Sequence, residues 1–519
     1  MHIRCHSILL ICIATYACVC TNPVLAEDNT GLDKPNLFVI NTDNGHFFAY
    51  RNADEMTIKG LHEWVDQYAN TKVTHLFICP NAMRASFRSS SREAIWDPTD
   101  GVAPDHKWPR HARILFDKGV DPYRVWIDRC REKNLSVWLT MRMNDMHQAE
   151  DFDNFQHSSF WRENIDLWRE PYHEHGSALN YAYKEVREYQ LAFVKELLER
   201  YDPDGIELDW MRIPNHLTPG KAYEERFHLT AFMHEVKRLV QKWSRKRGHR
   251  IGISVRVPAH PDACAGVGMD AIKWAQQGLI DLIVATPFYF SSDFDIPFDL
   301  WKKRLQDVKR VIPVIGGIES TARPWIYGTP VGNTLSTLYG FATVGHLRGA
   351  DGFYLFNWMD RTDWPIDYKN EYPQLLRTGL TPNVVGRGSR RHPVCFRDTV
   401  PDGFPSDTQL PKVTDSPLEF RLQAGTKPQS GNASIVIGLA KRNGVVESRF
   451  EARLNGKPLT LQGDFVDVKE LGGDSHRAIR FECSLDILRP DYNDLSIKQL
   501  GNDLPQQIVW VELRIDIEQ

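Results

Sequence analysis

The segment YDPDGIELDWMR, residues 201–212, decides the fold. Read as a β-strand, it places Ile206 and Leu208 on one face, because successive side chains of a strand point to opposite sides. Glu207 and Asp209 then share the other face. Strands that lie between helices are covered on both faces, so two acids on one face need a polar cavity. The mouth of a barrel of parallel strands, at their C-terminal ends, is such a cavity.

The chain around this segment repeats one pattern, in which short apolar runs alternate with longer amphipathic runs, as is typical of strand–helix units. Eight units favour an α/β fold, a closed (β/α)8 TIM barrel over residues 35–375. An open doubly wound sheet is the alternative, disfavoured because no glycine-rich phosphate fingerprint follows the first strand. The predicted strands cover residues 37–41, 73–79, 136–141, 205–210, 250–255, 282–286, 312–315 and 352–356, and the predicted helices cover residues 58–70, 122–133, 185–200, 223–246, 270–277, 298–308 and 333–347.

The C-terminal part changes character. Residues 376–416 are rich in Pro, Gly, Ser and Arg, which indicates an irregular linker. Residues 417–519 contain short alternating runs separated by turn signals such as Asn455-Gly456, which predicts an all-β sandwich. We expect this accessory domain either to bind sugar or only to pack against the barrel.

The N-terminal part, residues 1–26, reads as a signal peptide: Arg4 precedes an apolar run, and Val24-Leu25-Ala26 offers a cleavage site. The apolar run is too short to span a bilayer comfortably, so export to the periplasm or the extracellular space is favoured over an uncleaved anchor. No later stretch is apolar enough to span a membrane. The 63 basic residues nearly balance the 67 acidic ones, giving a net charge of -4, so nothing suggests nucleic-acid binding.

Polar and aromatic residues follow the predicted strands at their C-terminal ends, and in a barrel these ends meet at one mouth. Trp210, Tyr289 and Trp358 are candidates for stacking on a sugar ring. The long segment after the third strand, residues 144–182, predicts either a binding loop or a small separate core. The predicted substrate-binding residues are Asp43, Asn81, Arg142, Asn144, His147, Trp210, Arg212, Arg256, Tyr289, Asn357 and Trp358.

Three acids are candidates for catalysis: Glu207, Asp209 and Glu319. Cleavage of a glycosidic bond needs one protonated carboxyl and one ionised carboxylate. We predict Asp209 and Glu319 as the working pair, since the fourth and seventh strands lie well apart around the barrel. Glu207 is expected one layer deeper, hydrogen-bonded or paired with an arginine, of which Arg142, Arg212 and Arg256 are the candidates. The alternative for each acid is a buried structural ion pair.

A family resemblance enters through residues 179–212, which read as an asparagine-containing strand end (LNYAYKEVR), an amphipathic run and the segment quoted above. This pattern resembles the glycosyl-hydrolase-like barrel family remotely related to family-10 glycoside hydrolases. The resemblance implies a glycosidase-like barrel over residues 35–375 and says nothing about the sandwich. The chain differs from the family at Glu207, where a histidine or neutral residue is common.

These observations predict a secreted glycoside hydrolase that acts on a poly- or oligosaccharide. A non-catalytic carbohydrate-binding protein on the same barrel is the alternative, and a polysaccharide lyase using Tyr289 near Arg256 is a third reading. No metal or cofactor is expected, because the spacings of the histidines match no zinc motif. Arginines near the proposed mouth hint at an anionic substrate; they are Arg84, Arg142, Arg256 and Arg323.

Overall fold

The computed structural model describes residues 28, 30–170, 177–288, 291–358, 360–361, 366–397, 408–441, 449–501 and 504–517. Within them the chain forms a closed barrel of eight parallel strands, a short two-stranded pairing of Thr321–Ala322 with Val331–Gly332 after the seventh barrel strand, and two larger antiparallel sheets that follow the barrel. The predicted fold class is thereby confirmed. The predicted signal peptide and Tyr289 lie outside the described residues. Of the helices in the described part of the chain, none is long and apolar enough to cross a bilayer.

The barrel strands are present at all eight predicted places, and each pairs in parallel with its neighbours, β8 closing on β1. The seventh strand begins at Val314 rather than at the predicted Ile312. Pro313 precedes it and lacks the N–H that a strand residue needs for pairing. The strands are β1 (Leu37–Thr42), β2 (His75–Ile78), β3 (Ser136–Arg142), β4 (Gly205–Asp209), β5 (Gly252–Pro258), β6 (Leu282–Thr286), β7 (Val314–Ile318) and β8 (Gly352–Leu355).

Helices surround the barrel and begin at clear sequence signals. Asp121, for example, accepts hydrogen bonds from the N–H groups of Tyr123 and Arg124, and Pro122 occupies the first helical position. The helices are α1 (His46–Tyr50), α2 (Ile58–Asp66), α3 (Lys107–Asp117), α4 (Pro122–Glu132), α5 (Ser159–Glu163), α6 (Lys184–Arg200), α7 (Ala222–Glu225), α8 (Phe227–Arg247), α9 (Pro261–Gly266), α10 (Ala271–Gln276), α11 (Phe298–Leu305), α12 (Leu335–Leu347), α13 (Glu371–Thr378) and α14 (Pro382–Val385).

The end of the barrel opposite the mouth is filled by Trp138, which is fully buried and stacks on Phe77 with ring centroids 5.1 Å apart. A Cβ atom at Gly205 would lie 2.3 Å from this indole, and one at Gly252 would lie 2.4 Å from it. The glycine of the deciding segment is therefore required by the packing of a neighbouring strand. It lets β4 lie beside a tryptophan that seals the barrel floor.

The C-terminal domain is built from two sheets whose inner faces share one apolar cluster, which includes Phe420, Ile435, Phe481 and Ile497. The larger sheet has the order β9-β18-β12-β16-β15 with β10 beside β18, and the smaller has the order β11-β17-β13-β14. The strands are β9 (Arg390–Pro393), β10 (Lys412–Val413), β11 (Leu418–Gln423), β12 (Asn432–Ala440), β13 (Arg449–Leu454), β14 (Lys457–Pro458), β15 (Thr460–Asp464), β16 (Ser475–Cys483), β17 (Tyr492–Leu500) and β18 (Gln507–Asp516).

The segment predicted to be an irregular linker, residues 376–416, contains regular secondary structure. It contains α14, and its strand β9 pairs with β18 of the sandwich. β9 also packs closely on α12, where a Cβ atom at Gly340 would lie 2.0 Å from the carbonyl oxygen of Arg391. Residues 398–407 of this segment lie outside the described residues. The sandwich and the barrel are thus joined by packed secondary structure at β9.

Candidate active site

The register of three neighbouring strands arranges the interior side chains in two layers. Glu207 of β4 is paired in register with Thr140 of β3 and Ser254 of β5. Two residues further along, Asp209 is paired with Arg142 and Arg256. Because alternate residues of a strand point to the same side, these two rows lie one above the other inside the barrel. The predicted assignment of the two faces of β4 is confirmed.

The deeper layer holds Glu207, which is fully buried. Its carboxyl group accepts hydrogen bonds from the hydroxyls of Thr140 at 2.7 Å and Tyr354 at 2.6 Å, and from that of Ser254 at 3.1 Å. Burial, followed by the nearby charge of Asp209, raises the pKa of Glu207 to about 7. Of the two expectations for this residue, hydrogen bonding is confirmed. Three hydroxyl groups occupy the carboxyl oxygens, so hydrogen bonding is the one of the two expected arrangements that the structure has.

The upper layer brings the predicted pair together through an arginine. Arg256 donates from Nη1 to Asp209 at 2.9 Å and from Nη2 to Glu319 at 2.7 Å. Asp209, Arg256 and Glu319 are only 1 %, 1 % and 3 % exposed. The Arg256 guanidinium also lies over the ring of Phe356, 3.5 Å from its centroid. One cation thus serves two acids in a closely packed part of the mouth.

Glu319 holds its proton more strongly than an ordinary glutamate. Burial raises its pKa to about 7, although the positive charges of Arg256 and Arg212 oppose the shift. A carboxyl group with such a pKa carries a proton for a large fraction of the time at neutral pH. This is the property that general acid catalysis requires.

A second cluster lies at the more accessible side of the mouth. Arg142 binds Asp43 at 2.6 Å and Asp145 at 2.7 Å. Nδ1 of His147 lies 2.5 Å from Asp145, and Arg212 donates to Nε2 of His147. The His147 side chain is 33 % exposed and that of Asp43 is 19 % exposed. Polar groups in this cluster therefore remain open to solvent beside the buried acids.

Charge keeps the acids of this cluster ionised. Burial by itself would raise the pKa of Asp43, but Arg142 and neighbouring donors hold it below its ordinary value. Burial likewise opposes ionisation of Asp145, yet His147 and Arg142 hold the pKa of Asp145 well below its usual range. Asn357 donates to Asp43 at 3.3 Å and so belongs to the same cluster. Of the predicted substrate-binding residues, Asp43, Arg142, His147, Arg212 and Asn357 lie here.

Other predicted site residues have structural surroundings, which corrects the expectation that they contact substrate. Trp210 is fully buried among the aromatic rings of Tyr181, Phe232 and Trp274. It shares strand parity with Ile206 and Leu208, so it points towards the helices. Trp358 is 1 % exposed, and its indole N–H donates to a backbone carbonyl at the end of β7. Neither ring is available for stacking on a sugar.

The side-chain amides of two predicted substrate-binding residues, Asn81 and Asn144, form hydrogen bonds to the protein backbone. Asn144 donates to the carbonyl of Leu179 at 2.9 Å and accepts from the N–H of the same residue at 3.0 Å. Asn81 bonds in the same two-sided way to the backbone of Arg142. Asn144 therefore closes the segment of residues 144–182 onto itself. The role expected of Tyr289 lies outside the described residues, and with it the lyase reading.

The described apolar side chains of the segment of residues 144–182 join the main core of the barrel, so they do not form the small separate core that one of the two predictions expects. Trp161 is fully buried and stacks on Trp168 with ring centroids 4.4 Å apart.

The side chains of Arg84 and Arg323 bind backbone carbonyls within loops. These two arginines therefore give no support to the prediction of an anionic substrate. Among the described residues, no group of three or more His, Cys, Asp or Glu side chains is arranged to hold a metal ion.

Four residues of the site were missed from the sequence: Thr140, Ser254, Tyr354 and Phe356. Thr140 and Ser254 lie two positions before Arg142 and Arg256, so strand alternation carries a signal for both. Tyr354 and Phe356 follow the same alternation around the end of β8. Tyr354 and Phe356 belong to the site because of contacts across the barrel, to Glu207 and Arg256, and a local sequence pattern does not predict such contacts.

Comparisons with known proteins add similarity of architecture. No family model matches the chain, and no curated protein matches it significantly in sequence. Among solved structures, the chain is similar to a cycloisomaltooligosaccharide glucanotransferase from Paenibacillus sp. (10 % identity, TM-score 0.33, covering 92 % of this chain and 57 % of that one). It is also similar to a noncanonic maltogenic alpha-amylase AmyB from Thermotoga neapolitana (12 % identity, TM-score 0.35, covering 89 % and 99 %). A third is alpha-L-fucosidase isoenzyme 2 from Paenibacillus thiaminolyticus (11 % identity, TM-score 0.39, covering 63 % and 47 %).

All three solved structures are of carbohydrate-active enzymes, and the chain spans about half the length of the first and the third. Likeness at these identities and scores carries no argument about activity. The resemblance to the barrel family related to family-10 glycoside hydrolases stays a prediction.

Proposed function

We propose that the protein is a glycoside hydrolase in which Glu319 is the general acid and Asp209 is the ionised carboxylate. The supporting observation is that both acids meet one buried guanidinium at the barrel mouth, while the pKa of Glu319 is raised to about 7. Two carboxyl groups in different protonation states are what cleavage of a glycosidic bond requires.

In this proposal Glu319 donates its proton to the leaving oxygen of the scissile bond. Asp209 either attacks the anomeric carbon, forming a glycosyl ester that a water molecule deprotonated by Glu319 then hydrolyses, or accepts the proton of the water molecule that attacks. Arg256, 2.9 Å away, stabilises the negative charge of Asp209. Arg256 also stabilises the carboxylate that forms on Glu319 once its proton has left. The partly exposed groups of Asp43 and His147 lie beside the acids, where they can bond to sugar hydroxyls.

Residues 1–26 support the further proposal that the mature protein is exported.

The test is the release of reducing ends from a panel of neutral, uronic and sulfated polysaccharides. Glu319→Gln and Asp209→Asn are expected to lower kcat roughly 10²- to 10⁴-fold. The matched control is Glu512→Gln, which removes an equally buried, arginine-paired acid of the sandwich. It is expected to lower stability while the activity per folded molecule stays unchanged.

The pH profile adds a second criterion. Hydrolysis should fall as the pH rises through about 7, because Glu319 then loses the proton that it donates. In Glu319→Gln this alkaline limb should be absent from the residual activity. Loss of activity in the control to the same extent as in the mouth variants would contradict the assignment.

Non-catalytic carbohydrate binding is the second candidate function. One observation favours it: Asp209 and Glu319 are both occupied by Arg256 and almost without solvent exposure. Such a protein would bind a glycan and release no reducing ends at any pH, and the two mouth variants would bind it as tightly as the parent. That outcome would replace the hydrolase proposal.

A further inference from the structure

The backbone of Glu319 is held from one side by buried side chains. Asn333 donates from Nδ2 to the carbonyl oxygen of Glu319 at 2.8 Å, and the hydroxyl of Ser292 donates to the same oxygen at 3.2 Å. Asn333 also donates to the Ser292 hydroxyl at 2.9 Å, and the Ser292 N–H donates to the carbonyl of Thr321 at 2.8 Å. The segment that carries Glu319 is therefore fastened to residues 291–297, which follow β6 and are named the clamp loop here.

The sandwich grips the same clamp loop through Asp295. One carboxylate oxygen of Asp295 accepts from the Tyr492 hydroxyl at 2.9 Å and from Nε2 of Gln423 at 3.0 Å. Tyr492 belongs to β17 and Gln423 to β11, both in the smaller sheet of the sandwich. Arg397, just beyond β9, donates to the other oxygen, and Arg348 of the barrel binds Asp295 at 2.6 Å. A single carboxylate thus connects the two domains.

The two contacts are close along the chain, since only two residues separate Ser292 from Asp295. A shift of Asp295 would also displace Ser292. Because Ser292 is fully buried, the surrounding side chains leave little space in which the backbone between the two residues could adjust. Displacement of a reacting group by about 1 Å costs roughly 10²-fold in rate. The contacts at Asp295 are therefore close enough to the acid to matter for chemistry.

We propose that Asp295 and Ser292 are positioning residues through which the C-terminal sandwich holds Glu319 in place. The sandwich is then a working part of the active site, in addition to any stabilising role. The kinetic side of this inference rests on the proposed hydrolase function. The structural side, the coupling of the sandwich to the segment of residues 319–323, does not.

The test compares Asp295→Asn and Tyr492→Phe with the matched control Asp299→Asn. Asp299 binds the same Arg348 at 2.6 Å but is 63 % exposed, and its ion pair lies within the barrel domain. Hydrogen exchange of the amides of residues 319–323, read by mass spectrometry on the full chain, is expected to become several-fold faster in the first two variants and to stay unchanged in the control. Equal exchange in all three variants would overturn the coupling.

Ser292→Ala tests the last step. It is expected to lower kcat roughly ten- to a hundredfold with KM within about twofold, and to move the alkaline limb of the pH profile. Suppose that the parent hydrolyses a glycan and that hydrogen exchange of residues 319–323 becomes faster in Asp295→Asn and Tyr492→Phe. If kcat of Ser292→Ala then equals that of the parent, the positioning role is wrong. If no glycan is hydrolysed by the parent, the proposed function fails, and hydrogen exchange alone decides the coupling.

Discussion

Two buried ion networks of this molecule differ in how arginines are shared among the buried acids. At the barrel mouth, one arginine, Arg256, serves two acids, Asp209 and Glu319. In the sandwich, two arginines bind one fully buried acid: Glu512 is bound by Arg514 and, at 2.9 Å, by Arg391, and both arginines also form ion pairs with the more exposed Glu470. Each carboxylate oxygen of Glu512 has its own arginine, whereas the two buried acids of the mouth share Arg256.

The number of arginines around a buried acid separates a structural carboxylate from a reactive one. A buried acid that has cations on both sides is stabilised in its ionised form. Where two acids share one guanidinium, the effect of burial on the pKa of Glu319 exceeds the opposing effect of the positive charge. The pKa of Glu319 therefore rises to about 7. A surplus acid with a proton to give is a recurring feature of active sites. The same side-chain types thus hold a domain together in one place and hold a proton in the other.

Removal of Arg256, the arginine shared by the two mouth acids, should give the largest difference in stability between the two networks. Arg256→Met leaves two buried acids without their cation and is expected to lower the free energy of unfolding by about 3–5 kcal/mol, more at pH 8 than at pH 5. Arg391→Met should cost clearly less, because Arg514 still binds Glu512. Urea denaturation at both pH values measures the two losses. Equal losses would show that the networks do not differ in this way.

The pH dependence of stability gives the next largest effect. The folded protein raises the pKa of Glu207 from 4.5 to about 7, so the folded state binds an extra proton between these values. Stability from this group is therefore lost progressively as the pH rises from 4.5 to about 7, up to about 3 kcal/mol. Glu207→Gln should remove this loss, so that the variant gains on the parent between pH 5 and pH 8. Parallel stability curves for the two proteins would contradict the assignment.

The aromatic neighbours of the two networks should give the smallest effect. The Arg256 guanidinium lies 3.5 Å from the ring centroid of Phe356, and that of Arg514 lies 4.5 Å from that of Phe465. Phe356→Leu is expected to cost about 1–2 kcal/mol, and Phe465→Leu somewhat less, because the cation–π attraction weakens with distance and solvent exposure. Thermal unfolding of the two variants under the same conditions measures the difference. A larger loss for Phe465→Leu would reverse the ranking.

Particular residues show how far local patterns reach. The alternation in β4 correctly places Glu207 and Asp209 inside the barrel, and the same alternation places Trp210 outside, where the structure has it. The strand-end position of Trp210 predicts a stacking role, whereas its parity in β4 turns the ring towards the helices. Asn81 and Asn144 were expected at the substrate because polar loop residues often lie there, yet both bind backbone. A loop must satisfy its own backbone groups first.

The amino-acid sequence alone determines the order of strands and helices, the closed barrel with its sandwich, and the face on which the acids of β4 lie. Those features follow from periodicities of two and of 3.6 residues, which are local. Only the tertiary structure decides that Arg256 joins Asp209 to Glu319, that three hydroxyls surround Glu207, and that the sandwich reaches the clamp loop. These contacts join residues that are far apart in the chain, and their strength comes from burial, which exists only once the whole barrel has closed.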